Sequence, residues 1–439
     1  MRHPIYDMSI FKERRQALAA RMNGGALIVA SHPEQSRNND VDFPHRQDTN
    51  LFYLTGFEEP ESVLVFRPGR DPETVLFVRP KDPTRETWDG FRYGPEAAQR
   101  EFEVDKAYLI TEFDSIIVDL LKPVERIYYR WNINREFDLR MLDILDRVRR
   151  SHGRTGRGHL PVYDSWELIG ELRLIKSLYD VGVLRKACEI SANAHVEAMK
   201  FTRPGVTERQ VYGVLLHSFY MQNAQREGYN SIVASGANAT TLHYIFNDQV
   251  CKDGDLLLID AGAEYQYYTG DITRTFPVNG RFTSAQRAVY DRVLELQKAL
   301  IQKVRPGIPF KDLQEVTVEV LTDAMIELKL LKGSCKELID SLAYRKYYPH
   351  GVSHWLGMDV HDAGLYQIGD ESRRLEPGMC FTIEPGLYIP ADDMDAPEEL
   401  RGIGVRIEDN VLVTPSGCEV LTSAAPKEVT DLEAIVGKG

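Results

Sequence analysis

The sequence predicts an α/β chain of two domains, and three observations carry that reading. Short apolar strands alternate with amphipathic helices through residues 9–150, the pattern of an α/β layer. From about residue 176 the chain changes to long helices followed by paired strands, and that arrangement occurs twice. At 439 residues the chain is also too long for one compact core, so domains over 1–175 and 176–439 are expected.

In chain order, residues 9–22 show helical spacing at Phe11, Leu18 and Met22, stopped by Asn23-Gly24-Gly25. The runs at 26–31, 52–57, 62–68 and 73–80 read as strands separated by Pro/Gly turns. A helix around 111–122, a strand at 125–131 and a helix at 135–150 follow, the last with Leu139, Leu142, Leu145 and Val148 on its apolar face. The glycine-rich, basic segment 151–164 reads as a connector, because its glycines neither follow a strand nor open a helix. A long helix covers 184–201 and carries His195, read as structural or exposed. The next helix starts at Thr207, with Gln210 completing a capping box.

The repeat is visible residue by residue. Arg203-Pro204-Gly205 precedes one helix, and Arg305-Pro306-Gly307 precedes another over 309–330. GDLLLIDAG (254–262) and GMCFTIEPG (378–386) both end an apolar strand in a carboxylate, Asp260 and Glu384. A second acid-bearing strand follows each: GDITRTF with Asp271, and RIEDNVLV with Glu408. Two facing copies would bring Asp260, Asp271, Glu384 and Glu408 to one centre. Buried carboxylates are costly without partners, so such a centre calls for cations. The segment HGVSHWLGMDVH (350–361) adds His350, His354 and His361 beside the acids. His350 and His354 have the spacing of a helical HExxH zinc motif, but the glutamate is missing and Gly351 and Gly357 oppose a helix. Four carboxylates with one imidazole suit two divalent ions about 3.5–4 Å apart. Oxygen-rich ligation favours Mn²⁺ or another harder divalent ion over a thiolate-type zinc site.

Composition narrows the function classes. A net charge of −13 argues against nucleic acid as the main partner. Five widely spaced cysteines make neither a disulfide framework nor a zinc finger. The first 22 residues hold no signal-peptide core and no run has membrane-spanning length, so a cytoplasmic, non-membrane protein is expected.

The motifs around Asp260, Asp271, His350, His354, His361, Glu384 and Glu408 resemble those of the pita-bread metallopeptidases. With Arg46-Gln47, FYLTGF (52–57), His354-Trp355-Leu356-Gly357 and RGIGVRIE (401–408), the whole chain is similar to the proteobacterial aminopeptidase P (Xaa-Pro aminopeptidase) family. The resemblance implies a creatinase/prolidase-like N-terminal α/β domain. It also implies a C-terminal pita-bread domain of duplicated helix and antiparallel-sheet units. The implied metal ligands are Asp260, Asp271, His354, Glu384 and Glu408, holding two divalent ions. Glu384 is the implied general base. His243, His350 and His361 match the family's substrate-side histidines, and Arg406 matches an arginine behind the site with Asp40 and Tyr388 as partners. Trp88 would reach a neighbouring subunit's pocket, in a homo-oligomer (dimer or tetramer). The implied substrates are peptides with proline in second position. Among rivals, a prolidase shares the metal set, but Ser353-His354-Trp355-Leu356-Gly357 reads more like aminopeptidase P. The N-terminal domain disfavours methionine aminopeptidase. The complete ligand set disfavours creatinase and a non-catalytic binding module.

Overall fold

A computed structural model describes residues 6–439. The chain separates into two compact units, Met1–Leu172 and Arg173–Gly439.

The first unit is built on a six-stranded sheet. Its strands run in the order Lys106–Leu109, Thr74–Val78, Val63–Phe66, Ala26–Ala30, Ile127–Tyr128, Val162–Tyr163. Val63–Phe66 is antiparallel to both neighbours, and the remaining pairings are parallel. Helices including Phe113–Leu121 and Arg135–Ser151 cover it and bury its valines and phenylalanines.

Three details depart from the expected pattern. Residues 52–57 are not a strand, because Thr49–Thr55 is a helix. Asp48 caps it by accepting from the Asn50 and Leu51 amides, and Gly56 ends it in the left-handed region at φ 70°. Every residue of that helix is buried, so no 3.6-residue polar period marks it. The apolar face of Arg135–Ser151 is Phe137, Met141, Ile144, Leu145 and Val148, whereas Leu139 and Leu142 are 60% and 53% exposed. The 151–164 connector ends by adding Val162–Tyr163 to the sheet, parallel to Ile127–Tyr128.

The second unit repeats one plan. The helices Leu178–Phe201 and Glu208–Met221 precede the strands Ile232–Ser235, Leu256–Asp260 and Thr273–Pro277. The helices Ser284–Lys303 and Lys311–Glu327 precede the strands Cys380–Ile383, Asp409–Thr414 and Gly417–Val420. The two Arg-Pro-Gly turns are used alike. Gly205 and Gly307 take φ of 93° and 88°, and their amides donate to Cys251 and Leu375 carbonyls at 2.9 and 2.8 Å. Thr207 then bridges Val250, and Pro309 bridges Arg374. The two halves meet where the Glu408 amide donates to the Thr273 carbonyl at 3.0 Å. One continuous core, with Phe276, Tyr290, Trp355 and Phe381 fully buried, runs through both halves. His195 is buried in it, its Nε2 3.0 Å from the Ala261 carbonyl. Burial lowers that imidazole to about 4, so it stays neutral, a structural residue.

Candidate active site

The site is assembled at the ends of the two equivalent hairpins. Asp260 closes the buried strand Leu256–Asp260, and Asp271 precedes its partner Thr273–Pro277, with Asp260 opposite Thr273 in register. The close crossing of the two strand ends depends on glycine. A Cβ on Gly262 would lie 1.7 Å from the Gly270 carbonyl oxygen, and one on Gly270 would lie 2.5 Å from Ser191 Oγ. Beyond the crossing, strand alternation sorts the side chains. Thr273 and Thr275 both turn to Arg406 and Glu408. Thr273 Oγ1 donates to Glu408 Oε2 at 2.7 Å, and Thr275 Oγ1 donates to the Arg406 carbonyl at 2.9 Å. Arg274 turns the other way, to Asp409. In the second hairpin Glu384 follows Cys380–Ile383 and Glu408 precedes Asp409–Thr414.

These ends place Asp271, His354 and Glu408 so that one ligand atom of each lies within 4.8 Å of the others. His354 Nε2 is 3.3 Å from Asp271 and 3.5 Å from Glu384. Its Nδ1 donates to the Trp355 carbonyl at 3.1 Å. That bond makes Nδ1 a donor and leaves Nε2 as the nitrogen that faces the carboxylates, the one a metal ion would take. Without an ion, and against the effect of burial, Asp271 and Glu384 push the imidazole up to about 9. Asp260 accepts from Arg406 Nη2 at 2.7 Å. The Tyr229 hydroxyl stands between Asp260 Oδ1 and Asp271 Oδ1, at 2.7 and 2.5 Å. Asn410 fixes Asp271 from behind, accepting its amide proton at 2.9 Å.

The electrostatics identify what the group is for. Burial raises the Asp271, Glu384 and Glu408 carboxyls, Glu384 to about 7 and Glu408 well above its ordinary range. Among the described residues, Arg406 is the only arginine or lysine side chain paired with any of the four acids. Without a cation the group therefore holds extra protons on its raised carboxyls and on His354, pushed up to about 9, and bound divalent ions would take the place of those protons. Oxygen donors with one imidazole lone pair among them fit hard divalent cations.

Around the acids lies a cleft of about 580 Å³. His243 and His361 are exposed on its wall, and His361 packs edge-on against His354 with ring centroids 4.3 Å apart. The turn carrying His361 is clamped from below. Arg173 reaches both Asp359, at 2.6 Å, and Asp362, and Lys176 binds Asp362 at 3.0 Å. His350 is committed within the wall, with Nδ1 donating to the Gly351 carbonyl at 2.7 Å. Its Nε2, 2.8 Å from the Tyr388 hydroxyl, therefore accepts, and Tyr388 in turn accepts from Arg406 at 3.0 Å. Burial, then the Arg406 charge, lowers His350 to about 4.

The structure therefore brings ten of the expected residues together: Asp260, Asp271, His354, Glu384, Glu408, His243, His350, His361, Tyr388 and Arg406. Asp40 and Trp88 belong to the first unit. Asp40 is exposed in the turn between Ser36–Asn38 and Val41–Asp42, and Trp88 is 82% exposed on the helix Pro83–Asp89. Side-chain partners of Arg406 are Asp260, Tyr388 and Thr273. Sequence reasoning missed Tyr229, Thr273 and Asn410. The last two were open to the period-2 rule, since Thr273 and Asn410 each lie two positions beyond a candidate ligand, Asp271 and Glu408.

Comparison with known proteins places these features in a family. Residues 182–415 match Metallopeptidase family M24, and residues 11–128 match the aminopeptidase P N-terminal domain. The chain is 42% identical to the Xaa-Pro aminopeptidase of Haemophilus influenzae, over 97% of this chain and 96% of that one. It is similar in structure to the Pseudomonas aeruginosa aminopeptidase PepP, with a TM-score of 0.95 and 44% identity over 98% of both chains. It is likewise similar to zinc-substituted Escherichia coli aminopeptidase P in complex with product, with a TM-score of 0.93 and 41% identity over 98% of both chains. The chain belongs to metallopeptidase family M24 and carries the aminopeptidase P N-terminal domain.

Proposed function

We propose that this chain is a dinuclear-metal aminopeptidase that hydrolyses the bond between the first residue of a peptide and a following proline. The observation that carries the reading is the gathering of Asp260, Asp271, His354, Glu384 and Glu408 on one cleft, with Arg406 the one arginine or lysine paired with these acids among the described residues. Those five residues would hold the ions. Bound there, divalent cations would supply a hydroxide at neutral pH and polarise the scissile carbonyl.

The rest is the work of side chains. Glu384, whose carboxyl burial raises to about 7 in the metal-free site, is the group that would accept a proton from water and return it to the leaving nitrogen. Proline makes that return matter, because its nitrogen leaves a tertiary amide and must gain a proton to depart as an amine. His361 is held neutral by burial and by the neighbouring His354, and with His243 it stands in the cleft as an N–H donor to the developing oxyanion. Arg406 fixes Asp260 and Tyr388, and Tyr388 fixes His350, so the substrate side of the floor is one continuous set of hydrogen bonds. Ile232, Leu242, Ile245 and Val360 give the cleft an apolar wall suited to a pyrrolidine ring.

The oxygen-rich donor set favours Mn²⁺ over softer ions. The free state of all five cysteines agrees with a reducing, cytoplasmic setting. A tryptophan 82% exposed at position 88 supports a homo-oligomer in which Trp88 approaches a neighbouring copy's site.

Metal analysis combined with product identification tests the reading. The expected result is about two divalent ions per chain, with Ala-Pro-Ala split into alanine and Pro-Ala, and Ala-Pro alone turned over far more slowly. Cleavage of the dipeptide only would make the chain a prolidase. Full activity in rigorously metal-free protein would remove the metal mechanism.

A further inference from the structure

Glu208 opens the helix Glu208–Met221 and is fully buried. No lysine or arginine among the described residues is paired with its carboxylate. Five donors satisfy it instead. Oε1 accepts from the Ser235 amide at 2.8 Å, Ser235 Oγ at 2.7 Å and Asn238 Nδ2 at 2.9 Å. Oε2 accepts from the Tyr244 hydroxyl at 2.8 Å and the Gln249 amide at 3.0 Å. A buried carboxylate without a cation is tolerable only when its lone pairs are filled in this way.

All five donors come from one segment, 235–249, which carries His243 together with Leu242 and Ile245 of the cleft wall. The same helix end holds the segment elsewhere. The Glu208 amide donates to the Gln249 carbonyl at 2.9 Å, and Arg209 Nη2 donates to the Phe246 carbonyl at 2.9 Å. His243 is exposed in the cleft, next in sequence to the buried Tyr244 that Glu208 holds.

The internal repeat separates this task from generic helix building. The bridge Pro309–Arg374 is the counterpart of Thr207–Val250, so Phe310 stands where Glu208 does. Phe310 packs on Trp355 with centroids 4.4 Å apart. The turn into the helix therefore does not require a carboxylate, and the segment bearing His243 is what the carboxylate serves.

We propose that Glu208 is the positioning residue for His243, organising segment 235–249 so that the imidazole stands at the reacting peptide. The inference rests on the reading of His243 as a donor to that peptide. The test is a double-mutant cycle on an Xaa-Pro-Yaa tripeptide with metal-loaded full-length protein. Glu208→Gln keeps the shape but turns an amide NH₂ against the donors. It should lower kcat/KM by about tenfold or more, and Tyr244→Phe should lower it less, with metal content of Tyr244→Phe unchanged and its melting temperature reduced by the lost hydrogen bond but the protein still folded. In a His243→Ala background either substitution should cost no more than about twofold. Losses that multiply in the double variants, or wild-type kcat/KM in Glu208→Gln, would overturn this inference alone. Wild-type kinetics in His243→Ala would overturn the role of His243 and this inference with it. Should Glu208→Gln not fold, Tyr244→Phe decides by the same criterion: a loss absent from the His243→Ala background supports the inference, and no loss or a persisting one overturns it.

Discussion

Glu384→Gln should lower kcat on an Xaa-Pro tripeptide by about 10²–10⁴-fold, the usual span of a lost general base. The substitution is isosteric and Glu384 makes few protein contacts that a carboxamide would break, so kcat is compared at equal metal content, Glu384 being also one of the five residues that would hold the ions. Its carboxylate lies 3.5 Å from Thr382 Oγ1, 3.5 Å from His354 Nε2 and 3.8 Å from His350 Nδ1. The loss should therefore fall on kcat with folding retained. A second signature separates this from a general structural defect. Burial, reinforced by Asp271 and Asp260 and opposed by His354 and Arg406, raises Glu384 from 4.5 to about 7 in the metal-free protein. The folded state then holds that proton more tightly than the unfolded state does. Glu384 consequently makes metal-free stability fall as pH rises from 4.5 through about 7. Glu384→Gln lacks this contribution. Denaturant midpoints of metal-free protein at pH 5 and pH 8 should therefore differ less in the variant than in the wild type. Near-wild-type turnover in the variant would remove Glu384 as the base. An unchanged pH dependence would show that its carboxyl is not raised.

The difference between what could be read in the chain and what could not follows from the kind of physics each residue obeys. Asp260 and Glu384 interrupt apolar strands, and burying an unpaired charge is costly enough that such interruptions stand out. Their recurrence with Asp271 and Glu408 reported the duplication, because a repeated fold repeats its strand ends. Gly205 and Gly307 were legible for the same reason. The helix Thr49–Thr55 was misread as a strand because burial on all sides removed the polar half of its period. Leu139 and Leu142 were assigned inward by their chemistry, whereas the spacing of Phe137, Met141, Ile144 and Val148 sets the buried face. Tyr229 and Glu208 were invisible. Each acts by hydrogen bonds between segments far apart in sequence, from Tyr229 to Asp260 and Asp271 and from Glu208 to Ser235 and Tyr244. No local pattern marks a polar residue whose partners are supplied by the fold.

Arg274→Met should destabilise the second unit by about 3–5 kcal/mol, the cost of removing one partner from a buried ion pair. Arg274 and Asp409 are both fully buried and meet at 2.7 Å. Lys427 at 2.6 Å, Gln297 at 2.8 Å and Thr422 at 2.7 Å complete the shell of Asp409. The guanidinium also donates to the backbone carbonyls of Thr273, Glu408 and Ala425. Methionine would fill the volume and leave those acceptors without donors, each an added loss. Asp409 is held down to about 2 by the Arg274 and Lys427 charges against the effect of burial. A depressed carboxyl stabilises fully above its unfolded value near 3.8 and loses that contribution as pH falls toward 2. The wild type should therefore lose this contribution between pH 4 and pH 2, and Arg274→Met should lose less there because less remains to be lost. Denaturant titration followed by fluorescence of the buried Trp355, with an unchanged m-value, is the measurement. The pair lies on the far side of the strand from the cleft, yet Arg274 holds the carbonyl of Glu408 itself. Weaker divalent-ion binding, by about 10–100-fold, should accompany the loss of stability. A stable variant with wild-type ion affinity would show that the metal-side hairpins stand without this buried pair.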